Sequence, residues 1–148
     1  MQLTKNIKTI LAKTNVAAGA TDITDASVID TAGYEGVRFI FAFGAIVAGA
    51  VTSVAAAGKA ANDPAAGTDD LAGTKITVAD GDDDKIVILD IHKPAQRFIR
   101  PFVKRATQNA TLNGIVAELY GGPRSAPVTA DASVAAQESH VSPAVGTA

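Results

Sequence analysis

The feature that most constrains the fold is an uncharged run at residues 39–58, FIFAFGAIVAGAVTSVAAAG, bounded by Arg38 and Lys59. A run of about twenty uncharged residues is long enough for a helix that crosses a bilayer. Its large apolar side chains lie mostly in the first half, and the second half is mostly Ala, Gly, Thr and Ser. Such small residues insert poorly on their own, so the composition argues against a membrane helix.

The start of the same run has the period of a β-strand. Phe39, Phe41 and Phe43 alternate with other residues, and Gly44 and Gly49 divide the run into short pieces. A period of two places the three rings on one face of a strand. We therefore predict strands here, with a single membrane-spanning helix as the alternative.

Other short segments are rich in β-branched and apolar residues. They are residues 27–31, 74–79, 85–92, 96–105 and 112–121. Segments 74–79 and 85–92 flank an Asp-rich link and are predicted to form a hairpin, and Pro101 is expected to confine its segment to an edge or a bulge. Roughly seven or eight short strands predict an all-β fold, a β-sandwich or jelly-roll-like domain.

Composition divides the chain into three parts. Residues 1–20 are interpreted as an N-terminal arm or edge strand, residues 21–121 as the β-domain, and residues 122–148 as an extended C-terminal tail. The tail consists largely of Gly, Pro, Ser, Ala and Thr and has too little apolar surface to fold by itself. We expect it to be held by the surface of its own domain or by neighbouring chains.

Charge and residue usage exclude several functions. Thirteen Lys and Arg against 15 Asp and Glu give a net charge of −2, whereas nucleic-acid binding needs clustered positive charge. Without cysteine there is no disulfide, thiolate zinc site or cysteine nucleophile. His92 and His140 lie far apart in sequence, and the motifs of common hydrolases, nucleotide-binding proteins and metalloproteases are missing. We predict no enzyme, no catalytic residue, no cofactor and no metal site.

The acidic residues Asp80, Asp82, Asp83 and Asp84 lack the spacing and closing Glu of a calcium loop and are interpreted as a solvated turn.

Two groups of residues are candidates for subunit contacts. Arg97, Arg100, Lys104 and Arg105 alternate with apolar residues and could form a solvated strand face, pair with acidic loops of a neighbour, or touch nucleic acid; pairing with a neighbour is the favoured functional interpretation. Ile40, Ile86, Ile88, Val116 and Tyr120 fall on strand faces opposite the predicted core, and a sheet that is apolar on both faces must bury both. The predicted interface also includes the tail residues Pro123, Val141 and Pro143, and self-association is the resulting hypothesis.

Much of the chain resembles a family of virion proteins. The resemblance lies in DLAGTKITVADGDDDKIVILDIHKPAQRFIRPFVKRATQNATLNGIVAELYG, the upstream AGYEGVRFIFAFGAIVAGAVTS and the ending HVSPAVGTA. These stretches are similar to small structural proteins of tailed bacteriophages that are encoded near the major capsid protein, namely head decoration (cement) proteins. The resemblance implies a virion location on the capsid exterior, contact with the major capsid protein, a homo-oligomer that is often a trimer, and no enzymatic activity or cofactor.

Two other functions remain as alternatives. A head–tail connector or tail component would form rings instead of decorating a lattice. A carbohydrate-binding β-sandwich that attaches to host surfaces would need aromatic platforms, and the chain has no Trp and only Tyr34 and Tyr120.

Overall fold

The protein is built almost entirely from β-strands. The computed structural model describes residues 3–47, 51–105, 110–122 and 128–139. In chain order the elements are α1 (Leu3–Asn6), β1 (Lys8–Lys13), β2 (Val16–Gly19), β3 (Ile29–Asp30), β4 (Gly36–Ile46), β5 (Thr52–Lys59), β6 (Ile76–Val78), a short 3₁₀ helix (Asp80–Asp82), β7 (Ile86–His92), β8 (Phe98–Lys104) and β9 (Ala110–Tyr120). The all-β prediction is confirmed. Residues 39–46 of the uncharged run lie in β4 and residues 52–58 lie in β5. None of the helices in the described ranges has the length and apolar character needed to cross a membrane.

The strands form two antiparallel sheets. A five-stranded sheet has the order β1-β9-β4-β7, with β2 pairing the far end of β9, and a four-stranded sheet has the order β3-β8-β5-β6. The two longest strands, β4 and β9, are neighbours at the centre of the larger sheet. At the edges of this larger sheet lie β7 on one side and β1 and β2 on the other.

One hydrophobic core lies between the sheets and contains side chains from both. Phe39 and Phe41 of β4 are completely buried, as are Val54 of β5 and Ile99 of β8. The rings alternate with half-buried residues along β4, as the period of two predicts. Burial of each large side chain stabilises the fold by roughly 1.5–3 kcal/mol, so the face-to-face packing of these rows holds the sandwich together.

A bulge keeps β9 in phase with the core. Ala42 pairs with Gly114, whereas the next residue, Phe43, pairs with Leu112, so Asn113 is skipped in the ladder. An extra residue in one strand shifts its side-chain phase by one position. Leu112 and Ile115 therefore both face the core although they are three residues apart.

The predicted hairpin of segments 74–79 and 85–92 is wrong. β6 pairs with β5 in the four-stranded sheet, and β7 pairs with β4 in the five-stranded sheet. The acidic link between them crosses from one sheet to the other, so Val78 and Leu89 are both buried in the shared core but belong to opposite layers. The apolar pattern of both segments is satisfied by either arrangement, which is why the sequence did not distinguish them.

Pro101 is also placed differently from the expectation of an edge or bulge, because β8 lies between β3 and β5. Val103 exchanges backbone hydrogen bonds with Ile23, and Ile99 pairs with Ile29, on the same side of β8. Since bonding alternates along a strand, the nitrogen of Pro101 faces this side, between the two paired positions. The ring thus occupies a gap in the ladder where no N–H is needed.

Candidate interaction surfaces

The outer face of the five-stranded sheet carries a row of apolar side chains. In the ladder Leu11 pairs with Val116, Val116 with Ile40, and Ile40 with Ile88. We call these four residues the apolar row. Leu11 is 41% exposed and Ile88 46% exposed, and Ile86 beside the row is 60% exposed. The sequence placed Ile40, Ile86, Ile88 and Val116 opposite the core, and they lie on this outer face. It missed Leu11, because residues 1–20 are interpreted only as an arm or edge strand, with no residue assigned to a face.

A polar row runs beside the apolar row. Glu118 pairs with Arg38, and Arg38 pairs with Asp90 across the same strands. The Arg38 guanidinium donates to the Glu118 carboxylate through Nε, at 2.9 Å, and through Nη2. This hydrogen bond raises the pKa of Arg38 above its ordinary value. The Arg38 charge is therefore paired within the chain, and the polar row bounds the apolar row on one side.

Tyr120 lies at the end of this face and is held by its own chain. Its ring is stacked parallel to that of His92 with centroids 6.3 Å apart, and its hydroxyl donates to Asp90 Oδ1 at 2.7 Å. Burial and this hydrogen bond raise the pKa of Tyr120 to about 12. Gly36 pairs with both Tyr120 and His92, and a Cβ at Gly36 would collide with the phenol ring. The glycine thus allows the ring to lie across β4.

The predicted basic cluster does not form one surface. Arg97 makes two hydrogen bonds to Asp30, at 2.8 and 2.7 Å, and lies over the Phe98 ring. The bond from Arg97 lowers the pKa of Asp30 to about 2. Lys104 is 3.8 Å from an Asp70 carboxylate oxygen. These charges have acidic partners within the same chain, on the side of the four-stranded sheet.

Arg100 and Arg105 differ from these surface residues. Arg100 is half-buried, and within the described part of the chain its Nε is buried without a hydrogen-bond partner. Arg105 is only 5% exposed, and burial lowers its pKa. Its guanidinium donates to the carbonyl oxygens of Thr21 at 2.5 Å, Ala17 at 2.9 Å and Ala110 at 2.9 Å. Arg105 therefore ties the end of β8 to β2 and β9, a structural role that the local sequence did not distinguish from a surface charge.

The described part of the tail lies along α1 and β1. Its contacts with them are Val128 N to Lys5 O at 3.1 Å, Leu11 N to Ser133 Oγ at 2.9 Å, Lys8 Nζ to Asp131 Oδ2 at 3.4 Å and Gln137 Nε2 to Thr4 O at 2.7 Å. A hydroxyl that accepts from the Leu11 N–H occupies a backbone donor on the outer edge of the sheet. The tail thus covers the β1 edge of its own subunit. Pro123, Val141 and Pro143 lie outside the described residues.

The acidic residues at positions 80–84 stabilise the turn that connects the two sheets. Asp82 accepts from the Ala79 N–H at 2.9 Å and pairs with Lys85 at 3.2 Å. Asp83 Oδ1 accepts from the Ile46 N–H at 2.5 Å. Within the described ranges no group of three or more His, Asp and Glu side chains is placed to hold a metal ion.

No protein-family model and no curated protein matches the chain. The outer face of the five-stranded sheet carries a partly exposed apolar row, and the side of the four-stranded sheet carries the ion pairs of Arg97 and Lys104. The first arrangement can bury a partner's apolar surface, whereas the second has its charges satisfied internally.

Proposed function

We propose that the protein is a non-enzymatic structural subunit of a tailed-phage virion. In this proposal it self-associates, lies on the exterior of the capsid, contacts the major capsid protein and clamps neighbouring capsomers. The sequence resemblance supplies the virion setting and the expectation of a trimer. The β-sandwich with an apolar row on one outer face supports a role in binding other proteins.

The observation that carries the proposal is the apolar row. Its four side chains cross four neighbouring strands, a width of roughly 14 Å at the usual strand spacing. An apolar patch bounded by polar residues is typical of a protein–protein contact. A single patch of this size binds weakly, but repetition over a lattice strengthens attachment, because each later contact forms at a high effective concentration.

Sedimentation with capsid shells tests the proposal. Shells assembled from the major capsid protein of the same phage are incubated with the wild-type chain, with Leu11→Lys, and with the control Thr77→Lys. Thr77 is an exposed residue of β6 on the other sheet. We expect the wild type and the control to sediment with the shells, and Leu11→Lys to bind at least about tenfold more weakly, because a charge in an apolar contact is costly to bury.

Two results would contradict this proposal. If the wild-type chain stays in the supernatant at all shell concentrations, the protein does not decorate the capsid. If labelled protein is found only at the neck or tail of virions in electron micrographs, the connector or tail alternative is correct. An equal loss of binding in Thr77→Lys would move the contact away from the apolar row.

A further inference from the structure

The described part of the tail ends close to the apolar row. Gln137 Nε2 donates to the Thr4 carbonyl oxygen at 2.7 Å, and Gln137 lines the same small cavity as Thr9 and Glu118. Thr9 pairs with Glu118, which belongs to the polar row. Leu11 lies two residues after Thr9 on the same face of β1, about 7 Å further along the strand. The described ranges end two residues after Gln137, so the chain leaves them beside the row that adjoins the apolar row.

The sequence that follows has one apolar side. It reads HVSPAVGTA, residues 140–148, and contains no Lys, Arg, Asp or Glu. Val141, Pro143 and Val145 are two residues apart, and alternate residues of an extended chain face the same side. A segment of this kind can pack against an apolar surface without burying a charge.

The length of this apolar side matches the apolar row. Val141 and Val145 are four residues apart, roughly 13 Å in an extended chain, and the row spans roughly 14 Å at the usual strand spacing. The four residues from Gln137 to Val141 also reach roughly 13 Å, more than the separation of the two rows. A segment that crosses strands on their face forms no ladder with them, so the missing N–H of Pro143 loses no hydrogen bond there.

We propose that residues 140–148 lie across the apolar row of their own subunit, with Val141, Pro143 and Val145 against it. The subunit's own segment is favoured over a second copy, because a link of a few residues holds it at an effective concentration on the order of millimolar. This contact in the free subunit does not depend on the virion proposal. Its consequence rests on that proposal: the segment competes with the capsid for the apolar row, so capsid binding must displace it.

Paramagnetic broadening tests the contact in the free protein. The chain has no cysteine, so Thr147→Cys provides a single thiol for a nitroxide label just beyond Val145. In spectra of isotope-labelled methyl groups, the signals of Ile40 and Ile88 should broaden. Ile76 lies in β6 of the other sheet and should keep its line width.

Two further variants of the labelled chain test which side of the segment makes the contact. Val141→Ser with Val145→Ser removes two apolar side chains from the proposed side, so broadening of the row should fall to the level seen at Ile76. Ala144→Ser with Gly146→Ser adds the same two hydroxyls to the opposite side and should leave the broadening unchanged. This second pair is the matched control.

The competition with the capsid is tested by sedimentation with shells. The fraction of subunits whose row is free sets the apparent affinity, so Val141→Ser with Val145→Ser should bind shells at least about threefold more tightly than the wild type. The matched control should bind as the wild type does. Weaker binding of the Val141 and Val145 variant would overturn the competition and show that the segment itself contacts the capsid.

Three outcomes in the free protein would overturn the contact. The first is broadening of Ile40 and Ile88 no greater than that of Ile76. The second is an equal effect of the two pairs of serine substitutions. The third is equal broadening when isotope-labelled chains without the nitroxide are mixed with nitroxide-labelled chains, which would place the segment on a neighbouring copy. A chain that never sediments with shells contradicts the virion proposal but not this contact, so the two failures are distinguishable.

Discussion

The two edge strands of the five-stranded sheet have similar lengths but different surroundings. β1 has six residues and β7 has seven. Along β1 the tail supplies an acceptor for the Leu11 N–H and a carboxylate for Lys8. On the outer side of β7 no strand of the described ranges is paired. Among the described residues, the same sheet thus has one edge that its own tail contacts and one that pairs with no further strand.

The comparison shows that exposure of an edge depends on sequence far from it. Ser133 and Asp131 lie more than a hundred residues beyond β1, yet they cover its backbone. Their turn is locally defined, because Asp131 accepts hydrogen bonds from both the N–H and the hydroxyl of Ser133. Such a turn presents a hydroxyl and a carboxylate in fixed positions, which is what an edge strand with an unpaired N–H and a lysine requires.

The largest effect on stability is expected when the Arg105 side chain, which links the end of β8 to β2 and β9, is removed. Arg105→Ala leaves the carbonyl oxygens of Ala17, Thr21 and Ala110 without their donor in a buried site. Unsatisfied buried groups and the lost packing should lower the free energy of unfolding by about 3 kcal/mol. Urea unfolding followed by circular dichroism measures the change. Arg97→Ala, which removes an exposed member of the same basic sequence, should leave the unfolding midpoint nearly unchanged.

A smaller effect on stability is expected when the tail that contacts β1 is removed. A chain that ends at Gly122 loses the hydrogen bonds of the tail to α1 and β1, and we expect a loss of about 1–2 kcal/mol in unfolding free energy. Hydrogen exchange should accelerate at the Leu11 amide and remain unchanged along β7. Global unfolding of the truncated chain would show instead that the tail belongs to the folding core, and unchanged exchange at Leu11 would show that the tail does not cover this edge.

A single hydroxyl should account for part of that loss. Ser133→Ala removes the acceptor of the Leu11 N–H, and one hydrogen bond contributes about 1 kcal/mol. The exchange rate of the Leu11 amide is the direct measurement, with Ser139→Ala in the same tail as the matched control. If both variants exchange at the same rate as the wild type at Leu11, water satisfies that amide as well as the tail does.

The sequence predicted which face of its strand a residue occupies better than it predicted which strands are neighbours in a sheet. Period-two patterns placed the Phe residues of β4 inside and Ile40 and Ile88 outside, because a residue's face depends only on its position along its own strand. Which strand pairs with which depends on contacts distant in sequence. The link at residues 80–84 reads as a turn whether it joins neighbours in one sheet or crosses between sheets, so the hairpin prediction failed.

Arg105 shows the same limit at a single residue. It follows Lys104 in a segment that alternates basic and apolar residues, and nothing in that pattern separates it from Arg97 or Arg100. Its burial arises because β2 and the start of β9 bring three carbonyl oxygens to one point. Thr21 and Ala17 lie 84 and 88 residues from Arg105 in sequence, so this convergence is a property of the folded topology and not of the local pattern.

The smallest expected effect is a change of the covered edge with pH. Hydrogen bonds from the Ser133 backbone and hydroxyl, together with Lys8, hold the pKa of Asp131 below its ordinary value. A carboxyl whose pKa is lowered by folding stabilises the folded form above its unfolded pKa, about 3.9, and this contribution is lost as the pH falls through the lower folded value. The tail contact should therefore be fully formed above about pH 5 and loosen in acid.

The amide chemical shift of Ser133 reports this loosening. It should titrate in the wild type below about pH 4 and lose that titration in Asp131→Asn, which cannot change charge. Asp30 provides a comparison on the other sheet, because Arg97 lowers the pKa of Asp30 to about 2. The Ala32 N–H donates a hydrogen bond to the Asp30 carboxylate, so the chemical shift of the Ala32 amide should change only at a lower pH. If the Ser133 amide moved together with Ala32, or moved equally in Asp131→Asn, the ionised Asp131 would not be what holds the tail against β1.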